Sequence, residues 1–193
     1  ISSFRFHVSD VTGSICTWSQ NSRLNRLTPW CNDPVSDPHE EALYLLAHET
    51  DEVWSPLPGP APAPAGYEMR HGFGYSVCRH SSHELDQETL LFVPGDDPAR
   101  ITRVRLTNRA GRPRKGSLYV YCRLVLGTLP EESGRFVVTE KGPGQAVVLA
   151  QNHAGGEFAD GIAFIAALGV CNARAVGFTT DREEFIGRLG STA

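Results

Sequence analysis

Nothing in the 193 residues is long and apolar enough to cross a bilayer. The longest apolar run, Ile162 to Val170, contains Gly169 and falls far short of the roughly 20 residues that a spanning helix needs. No charged leader with an apolar stretch and cleavage site opens the chain, so no secretory signal is visible. Excess positive charge is also missing. A net charge of −4 and a pI near 6.0 leave no electrostatic footprint for nucleic acid or anionic lipid. The five cysteines, Cys16, Cys31, Cys78, Cys122 and Cys171, are odd in number and irregularly spaced, which gives neither a disulfide framework nor a zinc site. Reduced thiols in a cytoplasmic protein are the simplest reading, with Cys122 a small buried hydrophobe. No Gly-x-Ser-x-Gly elbow is present, and Gly72-Phe-Gly74 lacks the third glycine and the strand-to-helix setting of a dinucleotide loop. His80-Ser-Ser-His83-Glu84 does not place its ligands on one helical face, so no metal is expected there, and no cofactor anywhere.

What the chain does contain is turn chemistry and alternation. Nineteen glycines and 13 prolines with 21% charged residues describe a turn-rich globular chain, and its length suits a single domain, 1–193. Phe4, Phe6 and Val8 alternate with Arg5 and His7, and Ile15 to Trp18 reads as a second strand. Asp37-Pro38-His39-Glu40-Glu41 has the cap, proline and early acids of a helix start. Against it stands what the family resemblance carried by the runs quoted below implies, a hairpin with its turn at Glu49 to Glu52 and its return through Val53-Trp54, and that hairpin is the expectation. Ser55 to Gly66 carries five prolines and is expected to be an extended, polyproline-like surface connector. Further strands are expected over Tyr67–Arg70, Phe73–His80, Glu84–Val93, Ile101–Asn108, Ser117–Leu126, Arg135–Glu140 and Ala146–Gln151. A buried strand is expected over Gly161–Leu168, and one helical turn over Asp181–Gly187. Short strands at such intervals, with turns at Pro94 to Pro98 and Arg109 to Pro113, point to an all-β, antiparallel sandwich.

One stretch does not fit that alternation. Trp18 to Asp37 gathers two indoles, two arginines, three asparagines and two aspartates without hydrophobic periodicity, so it reads as an ordered polar loop. Indoles can cover the apolar face of a pyranose while amides, carboxylates and guanidinium groups bond its hydroxyls. The alternative is a braced loop in which Arg23 and Arg26 pair with Asp33 and Asp37 and the tryptophans plug a core. The neighbouring acids Glu131 and Glu132 follow Pro130 on a loop tip and suit solvent better than a catalytic pair.

The same stretch carries a resemblance. The run Trp18-x-x-Asn21-Ser22-Arg23-x-Asn25-Arg26-Leu27-Thr28-Pro29-Trp30-x-Asn32-Asp33-Pro34-Val35-Ser36-Asp37 resembles the opening signature of the phosphorylase-like module in cyclic β-1,2-glucan synthases. That family is glycosyltransferase family 36, also classed as glycoside hydrolase family 94 with cellobiose phosphorylase. Val53-Trp54-Ser55-Pro56, Arg70-His71-Gly72-x-Gly74-Tyr75-Ser76, Phe92-Val93-Pro94-x-Asp96-Asp97-Pro98, Leu106-Thr107-Asn108 and Val125-Leu126-Gly127 continue the resemblance over nearly the whole chain. It implies a galactose-mutarotase-like supersandwich, with its last strands missing from this chain, as a fragment of a larger multidomain enzyme whose (α/α)6 barrel carries the catalytic acid. No catalytic residue is then expected here. The expected partners are a β-glucan or oligosaccharide, the barrel, and a second copy through the parent enzyme. The expected location is cytoplasmic, at the inner face of a bacterial inner membrane. Trp18, Asn21, Arg23, Arg26, Trp30, Asn32, Asp33 and His71 are the candidate substrate-binding or barrel-facing residues. Two other readings stay open: an independent carbohydrate-binding module, and an aldose-epimerase-like enzyme using His71 or His83 with a glutamate.

Overall fold

A computed structural model describes residues 4–30, 38–144, 146–170, 173–188 and 190–192. They fall into two compact units, the first comprising Ile1–Gln20, Trp30–Arg123 and Thr192–Ala193, the second Asn21–Pro29 and Leu124–Ser191. Among the described residues every strand pair is antiparallel, and the two α-helices are single turns. The chain is an all-β sandwich protein, as its alternation predicts.

In the first unit β1 (Phe4–Val8) pairs with β2 (Ile15–Ser19). Next come β3 (Glu41–Ala47), β4 (Val53–Trp54), β5 (Tyr67–Gly72), β6 (Tyr75–Ser82), β7 (Leu85–Phe92), β8 (Ile101–Asn108) and β9 (Gly116–Cys122). One sheet has the order β4-β3-β9 and another β5-β6-β7-β8. The helix signals before Ala42 lose to a hairpin: Leu45 pairs with Trp54 and Leu46 with Val53. Burial explains the outcome, because Ala42, Leu43, Leu45 and Ala47 are all buried in β3 while β9 supplies a complete ladder on its other edge. The core between the sheets joins Ile15, Leu43, Leu57, Cys78 and Leu91, with Phe6, Val8, Tyr67, Met69 and Val104 packed against it. A second cluster joins Leu45, Ala47, Trp54 and Ala63.

The proline-rich connector departs from expectation. Ser55, Pro56 and Leu57 are fully buried and Ala63 is buried, while Pro62 and residues 64–66 are exposed, so the start of the connector is core and its end is surface. Its backbone closes on itself: Ser55 N donates to Ala61 O at 2.6 Å, and Ala61 N to Ser55 Oγ at 3.1 Å. Because proline has no N–H to leave unsatisfied, a proline-rich segment can be buried with few backbone donors to pair. Gly13 makes room for it. A Cβ at Gly13, whose φ is +73°, would lie 2.9 Å from Pro58 Cδ and 3.1 Å from Leu57 Cβ.

The second unit is a meander of β10 (Val137–Lys141), β11 (Val147–Asn152) and β12 (Ile162–Ala166), with α1 (Pro130–Ser133) and α2 (Arg182–Ile186). The helical turn expected there forms as α2, and Asp181 caps it by accepting from Glu183 N at 2.8 Å. Two expectations are corrected. The strand expected to continue to Leu126 stops at Cys122, and Val125 and Leu126 are buried where the chain pairs with the Asn21–Pro29 segment, Val125 N donating to Leu27 O at 2.9 Å. The stretch expected to be a buried strand is an edge strand whose Ile162 and Phe164 are more than half exposed.

Candidate functional site

The polar segment begins as strand and turns immediately. Trp18 is half-buried on β2, opposite Arg5 of β1. Asn21 then builds the turn: its Oδ1 accepts from Arg23 N and Leu24 N, both at 2.9 Å, and its carbonyl accepts from Asn25 N at 3.0 Å. Arg26 closes it. Its Nε donates to Ser22 O at 2.7 Å, one terminal nitrogen donates to Thr128 O at 3.2 Å, and its backbone exchanges both bonds with Gly127. Asn21 and Arg26 therefore shape the turn, while Arg23 and Leu24 are exposed on it.

The other candidates are dispersed. Trp30, in the first unit, is 51% exposed. His71 lies on β5, exposed, with its Nδ1 2.9 Å from Ser76 Oγ on the paired strand. Asn32 and Asp33, like Cys31, Asp37 and Cys171, lie outside the described residues. Among the described residues neither His71 nor His83 is bonded to a glutamate, and no group of three His, Cys, Asp or Glu is disposed to hold a metal. Glu132 accepts from Thr128 Oγ1 at 2.6 Å on the exposed α1 turn.

Two buried polar clusters in the first unit escaped the sequence reading. In one, Trp54 Nε1 donates to Gln87 Oε1 at 3.0 Å, Gln87 Nε2 donates to Ser82 Oγ at 3.0 Å, and Ser82 Oγ lies 2.7 Å from His80 Nε2 and 2.8 Å from His83 Nδ1. His80 Nδ1 faces Gly66 O at 3.0 Å and must carry the proton, since a carbonyl only accepts. His80 Nε2 then accepts the Ser82 hydroxyl proton. The Ser82 oxygen is left to accept from Gln87 and from His83 Nδ1–H. His83 stacks on Trp54 at 3.9 Å and His80 on Tyr67 at 4.0 Å. Desolvation, then His80 and Arg114, hold the His83 imidazole below its usual value against an opposing pull from Glu52. His83 and Glu84 both have positive φ, 51° and 56°, in a two-residue hairpin loop, with the Arg114 guanidinium on His83 O.

In the other cluster Arg100 donates to Glu41 Oε2 at 2.5 Å and also reaches Thr17 Oγ1, which donates to Glu41 Oε1 at 2.7 Å. Glu41 keeps 6% and Arg100 17% of its side-chain surface. The first of these clusters had a signal in the alternation. His80 shares the inward face of β6 with Ser76 and Cys78, and Gln87 that of β7 with Thr89 and Leu91.

The supersandwich domain of glycosyl hydrolase 94 matches residues 2–193. The chain belongs to that family. The resemblance read from the opening loop is thereby shown for the whole chain. Cyclic β-(1,2)-glucan synthase NdvB of Rhizobium meliloti (strain 1021) is 33% identical over 188 residues, 97% of this chain and 6% of that protein. Solabiose phosphorylase of Paenibacillus borealis is 26% identical over 156 residues, 78% of this chain and 20% of the enzyme. N,N'-diacetylchitobiose phosphorylase of Vibrio furnissii is 31% identical over 100 residues, 50% and 12% respectively. The chain thus spans a fifth or less of the length of these relatives. Among its described residues no helix is long and apolar enough to cross a membrane.

Proposed function

We propose that this chain serves as one non-catalytic β-sandwich domain of a larger glycosyltransferase or glycoside phosphorylase acting on β-glucan. In this reading it supports an (α/α)6 barrel on the cytoplasmic side, contributes to contacts between copies, and lines the glucan groove with the Trp18–Trp30 segment. Its relatives include a cyclic β-(1,2)-glucan synthase, a solabiose phosphorylase and an N,N'-diacetylchitobiose phosphorylase, each much longer than the matched part. The observation that carries the groove assignment is the self-sufficiency of the turn. Asn21 and the Arg26 guanidinium hold its shape through backbone partners, which leaves Arg23 exposed on it. A turn that spends its polar groups on its own shape is preorganised, and preorganised polar surface costs less to order around a ligand.

The test is a titration of the chain with β-1,2-gluco-oligosaccharide, followed by indole NMR signals. Binding is expected on the order of millimolar to micromolar, because each sugar hydroxyl exchanges water for protein with small net gain. The Trp18 and Trp30 signals should move, and the Trp54 signal, whose N–H is buried on Gln87, should not. Trp30→Ala and Arg23→Ala should abolish the shifts and leave the melting temperature unchanged. Indoles that stay still with every β-glucan tried would overturn the groove assignment.

A further inference from the structure

The outer face of the β5–β8 sheet carries aromatic side chains that belong to neither core cluster. Ile101, Phe92, Tyr75 and Gly72 stand in one row across β8, β7, β6 and β5, fixed by the strand register. Gly72 decides how Tyr75 lies. A Cβ added at Gly72 would sit 2.2 Å from Tyr75 Cε1, 2.3 Å from Cζ and 2.7 Å from the hydroxyl oxygen, so the phenol ring takes the place of the missing side chain and lies down on the β5 backbone. Tyr75 still keeps 46% of its surface, which leaves the ring open on its outward side. Phe92 stands directly opposite on the neighbouring strand, about 4.8 Å across, and Phe73 is fully exposed at the hairpin tip. An open cavity of about 420 Å³ lies there among Phe73, Gly74, Tyr75, Leu90, Phe92 and Val93.

We propose that this surface is a second sugar subsite, in which one hexose ring of a β-glucan stacks on Tyr75 between Phe92 and Phe73. The proposal rests on the β-glucan reading above and adds a place of contact separate from the Trp18–Trp30 segment. No residue lining the cavity carries a charge, so the surface suits a neutral ligand, and its volume falls within the roughly 300–1,000 Å³ of small-ligand sites. A β-linked glucose ring presents apolar C–H faces to such an aromatic surface and sends its hydroxyls outward to the rim. Donors wait at that rim. The adjacent row is Arg103, Leu90, Val77, Arg70, in which Arg103 pairs with Glu88 at 3.3 Å and Arg70 with Glu68 at 2.6 Å. A guanidinium has more N–H donors than such a pairing uses, and the Tyr75 hydroxyl can both donate and accept. An acyl chain would cover the rings and use none of these groups. Because Gly72 lets the ring rest on the sheet before any ligand arrives, little ordering is left to offset on binding.

The test is a titration with β-1,2-gluco-oligosaccharide of Trp30→Ala protein, which removes the indole on which the other site depends, read on the ring NMR signals of Phe73 and Tyr75. Both signals should move. Tyr75→Phe keeps the ring and should bind within about threefold of the parent, whereas Phe73→Ala, at a tip position with no packing to lose, should weaken binding about three- to tenfold. Gly72→Ala keeps the tyrosine but pushes its ring off the sheet, at a residue whose φ an alanine can adopt, and should weaken binding by a similar factor. Ring signals that stay still while the indoles of the parent chain respond would overturn this subsite and leave the other site standing; moving rings with still indoles would do the reverse. Undiminished binding by Gly72→Ala, or a response to short-chain phosphatidylcholine and none to sugar, would also overturn it.

Discussion

Glu41→Gln keeps the shape of the side chain and removes its charge, leaving the Arg100 guanidinium in a site where it retains 17% of its surface. Truncating one partner of a buried pair costs about 3–5 kcal/mol, mostly the penalty for the charge left behind. For a chain of this length each kcal/mol moves the melting temperature by about 2–4 °C, so a loss of roughly 6–20 °C is expected. Removing the whole cluster should behave differently. Arg100 Nε is buried without a hydrogen-bond partner, an existing cost of about 1–3 kcal/mol that disappears with the arginine. Thr17→Val, Glu41→Leu and Arg100→Met together should therefore leave stability near the parent's or above it. Urea unfolding decides between these outcomes, because a shifted midpoint at constant slope reports stability alone. If Glu41→Gln lost less than about 1 kcal/mol, the pair would be screened like a surface salt bridge and the reasoning from burial would be refuted.

Two further outcomes concern titration and thiols. The His83 imidazole titrates below its usual value in the fold, so its contribution to stability is complete above about pH 6.5 and is lost as pH falls through that value toward the folded one. Melting temperature should accordingly drop between pH 7 and pH 5, and His83→Asn, which tolerates the positive φ, should flatten that slope; an unchanged slope would assign it elsewhere. Burial pushes the Cys78 thiol up to about 12, and Cys16 is buried as well, so in native protein both should resist a thiol reagent that labels them fully in denaturant, and reductant should leave the melting temperature unchanged. Rapid native labelling of Cys78 would contradict its burial.

Period-two alternation made the strands legible: in Ile101–Asn108 Thr102 and Val104 turn inward while Ile101, Arg103 and Arg105 turn outward, and only the exposed end from Leu106 to Asn108 drops the pattern. The hairpin at Leu45 and Trp54 was legible only with the family resemblance, since the cap and proline before Ala42 favour a helix locally and the ladder from β9 is a long-range fact. The proline connector was misjudged because composition reports the missing N–H groups but not where Leu57 and Ala63 go. In the opening segment the sequence showed which side chains were unusual. It could not show that the Arg26 guanidinium would turn to the carbonyls of Ser22 and Thr128, a pairing whose second member lies over a hundred residues away.

The cluster around Ser82 also restricts how the β6–β7 hairpin can pair. Sliding β7 by two residues keeps every inward side chain inward, so an apolar face alone would scarcely notice the error. It would put Gln87 opposite Cys78 and Leu85 opposite His80 in place of the observed pairing of His80 with Gln87. The Trp54 indole would then lose its acceptor and the Ser82 hydroxyl one of its donors, both of which Gln87 now supplies inside the protein. The polar groups within this core thus act as a key for strand alignment, admitting one pairing among several that hydrophobicity would accept.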